Sequence, residues 1–365
     1  MINFAALASL DFVQRPVTTP LGFRPREYAQ IAARTFTQLN KDNVVVVAAG
    51  VAFFALLSMF PLLSAMISIY GYFADITQIQ DIANTIRPLM PEQAWTLVSE
   101  QIAAVISAPN SELSFRIVVS LLFALYTAGA GIRALLRAMN VAYGEDEKRS
   151  IIVFYLTAIG MTLGLFVFVY TTLAVVVGIP ALLAFLRLEG TAGFVAGHLP
   201  WILLVFAFAF GSFIIYRFGP SRRPARKRWV MPGVVFTTAS WLLISYGFTV
   251  YVRQFGSYDV TYGSLSAVIV LLLWFWLSAT VVIVGAELNA EMERQTLADT
   301  TRGGERPVGR RKASMADYLT LAMRRLFPDR FPHAQSLAAQ AAEPDASAPD
   351  VATVPEEPGK DDALA

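Results

Sequence analysis

The sequence predicts an all-α, polytopic membrane protein: six transmembrane helices with amphipathic helices at the surface. Three observations predict it. Apolar residues make up 56% of the 365 positions and charged residues only 15%, whereas a soluble domain carries about 25% charge to solvate its surface. Mean hydropathy is +0.53. Long stretches without Asp, Glu, Lys or Arg recur along the chain, and the lysines and arginines collect in alternate connections between them.

A helix crossing the hydrocarbon needs about 20 apolar residues. The spans are predicted at about 44–74, 114–136, 151–178, 197–217, 229–252 and 263–286. The second is the shortest, an uncharged Ile117–Ile132 between Arg116 and Arg133, whose long side chains can snorkel to the interfaces. Pro61 removes a backbone donor within the first span and should bend it, with Ser58 placed to satisfy freed backbone groups. The third run should end as a span near Gly178–Pro180.

Before the first span, residues 1–43 read as a cytoplasmic leader without the basic start of a signal peptide. Tyr28, Ile31, Ala32, Thr35 and Leu39 share a helical face there, with Arg26 and Arg34 elsewhere, as in a helix lying on the membrane. Residues 75–113 carry two further short amphipathic patterns. Residues 292–365 read as a cytoplasmic tail, largely disordered, with one surface helix at Ser314–Phe327 and an Ala, Pro and acid-rich end after Phe331.

Orientation follows from Lys and Arg counts. From leader to tail they alternate five, one, four, one, six, one and ten. Both termini are therefore expected in the cytoplasm of an inner (plasma) membrane, the span number even, and 75–113 periplasmic.

The chemistry on offer is narrow. With no cysteine, disulfides, iron–sulfur clusters and thiolate zinc sites are excluded. Only His198 and His333 occur, and neither HExxH, Walker A nor GxGxxG is present. No cofactor or catalytic residue is expected. The basic run Arg222, Arg223, Arg226, Lys227, Arg228 lies in a short cytoplasmic connection, where it favours anionic headgroups over nucleic acid.

Several segments carry a family resemblance. They are Trp229-Val-Met-Pro-Gly233, Gly247–Tyr251, Tyr258-Asp-Val-Thr-Tyr262-Gly263, and Gly285-Ala-Glu287-Leu-Asn289. With them go Ala52–Leu62 in the first span and Arg133-Ala-Leu-Leu-Arg137-Ala-Met-Asn140 after the second. Together, from about Arg34 to Glu291, they resemble the YihY/virulence factor BrkB family. Phe53-Phe54 stand where an Ala-Tyr-Tyr type of triplet is common, which removes hydroxyls from that helix. The resemblance implies an inner-membrane protein of six spans without an assigned reaction, despite an older ribonuclease label.

Three functional readings follow. The first is a non-enzymatic transporter or permease of a lipid-like or small-molecule substrate. The second is a scaffold whose tail recruits a cytoplasmic partner, and the third a membrane ribonuclease, for which the catalytic inventory is missing. The candidate structural and functional residues are Ser58, Pro61, Arg133, Arg137, Asn140, Gly233, Tyr258, Tyr262, Gly263, Glu287 and Asn289. Arg133 and Arg137 end the second span at the depth where Glu287 and Glu291 end the sixth, each pair spaced i, i+4. Glu287 is expected to contact Arg133, Arg137 or Asn140. Oligomeric state is not readable from the sequence.

Overall fold

A computed structural model describes residues 12, 14–73, 87, 95, 99–100, 102–103, 110–185, 191–254, 265–320 and 323. Among the described residues the chain is helical without strands, apart from two isolated β-bridges, Arg15 to Thr296 and Ala225 to Thr301.

Helix α1 (Pro25–Lys41) starts where Pro25 presets the first turn and Glu27 Oε2 accepts the Arg24 backbone N–H at 2.6 Å. Arg15 clamps the same carboxylate, Nε to Oε1 at 2.8 Å and Nη2 to Oε2 at 2.6 Å. Helix α2 (Val44–Phe73) follows after a 65° change of direction. Asn43 takes φ +48° in that corner, a conformation asparagine tolerates, and its carbonyl accepts from Val46 and Val47.

Helices α3 (Asn110–Ala142), α4 (Ile151–Phe185), α5 (Thr191–Phe218), α6 (Lys227–Gln254) and α7 (Leu265–Arg294) complete the long elements. Four of the described helices are long and apolar enough to cross a membrane, or five if α1 and the first part of α2 form one bent span. Helix α2 lies along α3 and α7, α7 also along α6 and α1, while α4 and α5 form the other flank. Helix α2 continues through Pro61, and Ser58 Oγ donates to the Ala55 carbonyl at 2.8 Å, not to the Leu57 carbonyl that Pro61 leaves free.

Two features at the ends bear on the expectations from the sequence. Helix α1 is held by more than its apolar face. It packs against α7, and Arg34, set apart from that face in the sequence, is buried with Ile31 while Ala32 is exposed. The first part of the tail, too, is tied down. Thr296, Thr300, Thr301, Ala313, Ala316 and Leu319 are buried. Arg311 holds this segment together, donating to the carbonyls of Leu297 and Ala316 at 2.7 Å and Arg306 at 3.0 Å. Gln14 laces it to the leader, its side chain donating to Arg294 O at 2.6 Å and accepting from Thr320 N at 3.2 Å. Of the surface helix expected at Ser314–Phe327, the described residues show α8 (Ser314–Asp317), and most of the remainder lies outside them. The acidic end lies outside the described residues, as does most of the segment expected to be periplasmic.

Candidate functional site: a buried polar layer at the end of α7

Glu287, Asn289, Glu291, Glu293, Arg294 and Gln295 are all buried, although they occupy every side of the last turns of α7. Removing one such charge from water costs several kcal/mol unless partners replace the solvent. The partners come from three other elements.

From α1, Arg34 reaches Glu291, Nε to Oε2 at 2.6 Å, and gives Nη2 to Gln295 Oε1 at 2.5 Å. Its guanidinium lies 4.2 Å from the Phe12 ring centre. Arg294 Nη1 meets the other Glu291 oxygen at 3.0 Å and lies 4.0 Å over Tyr318. From the α5–α6 connection, Arg222 makes a two-pronged bridge to Glu293 at 2.6 and 2.9 Å, and Thr300 Oγ1 donates to the same carboxylate at 2.6 Å. Arg222 also lies 4.2 Å over the Tyr143 ring. Burial works against the Arg222 charge, but Glu293 outweighs it and holds the guanidinium above its ordinary value. Burial pushes the Tyr143 phenol up.

The Asn289 amide stitches α7 to the proline turn of α6. Its Oδ1 accepts from Gly233 N at 2.7 Å and its Nδ2 donates to Val230 O at 3.1 Å. Gly233 is required by this approach, since a Cβ there would run into the Asn289 amide and the Gly285 carbonyl. One turn deeper, Tyr216 Oη meets Thr237 Oγ1 at 2.6 Å and donates to Val282 O at 2.8 Å, closing the same seam beside Gly285.

Asn140 anchors the neighbouring loops. Its Oδ1 accepts from Ser221 N at 2.7 Å and its Nδ2 donates to Glu147 at 2.9 Å. Partial burial pushes Glu147 up, yet bonds from the Arg149 side chain and backbone and from Asn140 prevail and hold it at about 2. Glu145, with no exposed side-chain area, accepts from Lys148 Nζ at 2.5 Å and from Ser314 N at 2.6 Å.

The expected pairing of Glu287 with Arg133, Arg137 or Asn140 is not formed. Glu287 instead faces the α1–α2 corner, where Asp42 is among the charged groups that act on it. Its Oε1 is buried without a hydrogen bond. Arg133 and Arg137 turn toward α4, 5.2 Å over Tyr155 and 5.9 Å over Phe154. The two charged stripes therefore point in different directions around their helices.

Of the other candidates, Asn140, Gly233, Glu287 and Asn289 belong to this layer, Ser58 and Pro61 lie in α2, and Tyr258, Tyr262 and Gly263 fall outside the described residues. Arg34 and Arg222 were missed. A signal existed, because four charges at 287, 291, 293 and 294 cannot all face one neighbour. Among the described residues no group of three His, Asp or Glu side chains is arranged to hold a metal ion.

The family model described as "Virulence factor BrkB" matches residues 35–309. A Bacillus subtilis protein with the ribonuclease-like name YfkH is 33% identical over 68% of this chain and 89% of its own length. A UPF0761 membrane protein of Pseudoalteromonas translucida is 26% identical, covering 71% and 84%. Another, from Aliivibrio salmonicida, is 25% identical, covering 69% and 79%. No solved structure matches.

Proposed function

The chain belongs to the virulence factor BrkB family, and from that premise we propose that it is a six-span inner-membrane protein, both ends cytoplasmic, that handles a lipid-like molecule without catalysis of its own. The observation that carries this reading is the contrast between the two parts of the bundle. At the polar layer, ion pairs tie α1 and the α5–α6 connection to the end of α7. Farther along, α4, α5 and α6 part from one another and leave two apolar grooves open at the side.

One groove, of about 480 Å³, runs between α5 and α6 and is lined by Phe206, Phe210, Phe213, Met231, Val235 and Leu242 among others. The second, of about 380 Å³, runs between α4 and α5, past Gly160, Gly164 and Gly211, at each of which a Cβ would meet nothing within 4 Å. Both volumes fall in the range of ligand sites, roughly 300–1,000 Å³. Walls this apolar suit a hydrocarbon chain, while a polar solute would need hydrogen-bonding groups in its path. Glu291 and Glu293 already bind arginines, which supports a structural use of the buried acids over a catalytic one.

Six helices of 28 to 35 residues are each long enough to span, and the alternating Lys and Arg counts favour an even number. The test is reconstitution into vesicles carrying a fluorescent phospholipid analogue in both leaflets, with an impermeant quencher outside. Movement between leaflets should be faster than in empty vesicles. Equal rates, with protein shown to be inserted and folded, would overturn the lipid-handling reading.

A further inference from the structure

We propose that the α5–α6 groove seats an acyl chain of an anionic phospholipid, whose phosphate is held by Lys227 and Arg228 at the start of α6. The inference rests on the membrane orientation proposed above, which puts this end of the groove at the cytoplasmic interface.

The first argument is register. Lys227 stands four residues before Met231 and eleven before Thr238, and Arg228 seven before Val235. These are helical repeats of one face, so the two cations head the same stripe that lines the groove. From Met231 to Leu242 that stripe is about 17 Å long at 1.5 Å per residue. Half of the hydrocarbon core is about 15 Å. The groove therefore matches the depth of one leaflet. Its walls face outward: Phe206 is 74% exposed and Val235 61%.

The second argument is which charges remain uncommitted. Six cations lie in Arg217–Arg228. Arg217 donates to Ala225 O and Arg226 to Thr301 O, while Arg222 binds Glu293 and Arg223 faces Asp299 at 3.9 Å. Lys227 and Arg228 are exposed and form no ion pair or hydrogen bond with the described residues through their side chains. They also sit at the N-terminus of a 28-residue helix, whose unpaired N–H groups and dipole add to the attraction for an anion. A free double cation above an apolar channel one leaflet deep is complementary to an anionic lipid, in charge at one end and in hydrocarbon at the other.

The experiment is native mass spectrometry of the full-length protein released from micelles doped with equal phosphatidylglycerol and phosphatidylcholine. Near an interface each cation is worth about fivefold in binding, so the pair gives about 25-fold preference for phosphatidylglycerol. Lys227→Ala/Arg228→Ala should erase the preference and leave the fold intact. Ala239→Phe, which fills the groove, should reduce retention of both lipids. Glycerol phosphate, the headgroup anion without chains, should not compete. Equal retention of the two lipids, an undiminished preference in the double variant, or full competition by glycerol phosphate would each overturn the site. Failure here with accelerated lipid movement in vesicles would remove the site alone. Retention without movement would remove the proposed function and leave the site.

Discussion

Replacing Arg34 by leucine should break the α1–α7 junction. The arginine is 1% exposed and Glu291 fully buried, and they meet at 2.6 Å. Removing one partner of a buried ion pair costs about 3–5 kcal/mol, because the other charge is left without solvent or counter-charge. Here Glu291 keeps Arg294 at 3.0 Å, which puts the loss near the lower figure, about 3 kcal/mol or more than 100-fold in the folded-to-unfolded ratio. Glu291→Leu should cost more, since it strands both Arg34 and Arg294. The double variant should be more stable than the sum of the single losses predicts, by about 2 kcal/mol, because contacting residues couple. Reversible denaturant unfolding in mild detergent measures all three. A loss below about 1 kcal/mol for Arg34→Leu, the scale of a solvent-exposed pair, or strict additivity in the double variant, would refute the reasoning.

Gly233→Ala should destabilise by about 1–3 kcal/mol, the cost of forcing atoms into a packed seam, and Asn289→Ala should also destabilise, since it frees Gly233 N and Val230 O. Both are read by the same unfolding curves. Asp42 lies in the corner before α2 and is held above the usual carboxylate range, chiefly by burial, with Glu287, Glu291 and Lys41 the charged groups around it. A raised carboxyl pKa means that the folded state binds the proton more tightly. Its contribution is full below about 3.9 and is lost as pH rises through the folded value, so Asp42→Asn should flatten that part of the stability–pH curve. Glu147, held at about 2, has the opposite sign. Its contribution is present above about 4.3 and disappears as pH falls toward 2, and Glu147→Gln should remove this acid limb.

The long helices were legible in the sequence, and the direction each side chain takes around its helix was not. Charge-free runs located the long helices because a buried charge is costly enough to leave a gap in composition. The α7 run ended at Ala286 for the same reason, yet the helix continues to Arg294. Those last turns are helical because Arg34 and Arg222, 257 and 71 residues away from their partners, neutralise them. Composition along the chain carries no record of such distant pairs. Gly233 and Asn289 were singled out from motifs without any sign that they touch. Only the crossing of α6 and α7 shows why a side-chain amide must lie opposite a residue without a Cβ. Glu287 was matched to arginines of equal depth, and the choice failed because α3 turns those arginines toward α4.

The proposed lipid handling and the lipid site both depend on six crossings with the α7 end in the cytoplasm, and single-cysteine labelling measures this directly because the chain has no cysteine of its own. Gly304 is a suitable inner probe, because a Cβ there meets nothing within 4 Å. Asp146, exposed between α3 and α4, is a second inner probe. Gln93, Glu189 and Ser257 fall in the three connections expected outside. In intact spheroplasts an impermeant thiol reagent should label cysteines at Gln93, Glu189 and Ser257 and spare those at Asp146 and Gly304 until the membrane is opened. Labelling of Asp146 or Gly304 from outside, or protection of any of the other three, would contradict the six-span orientation.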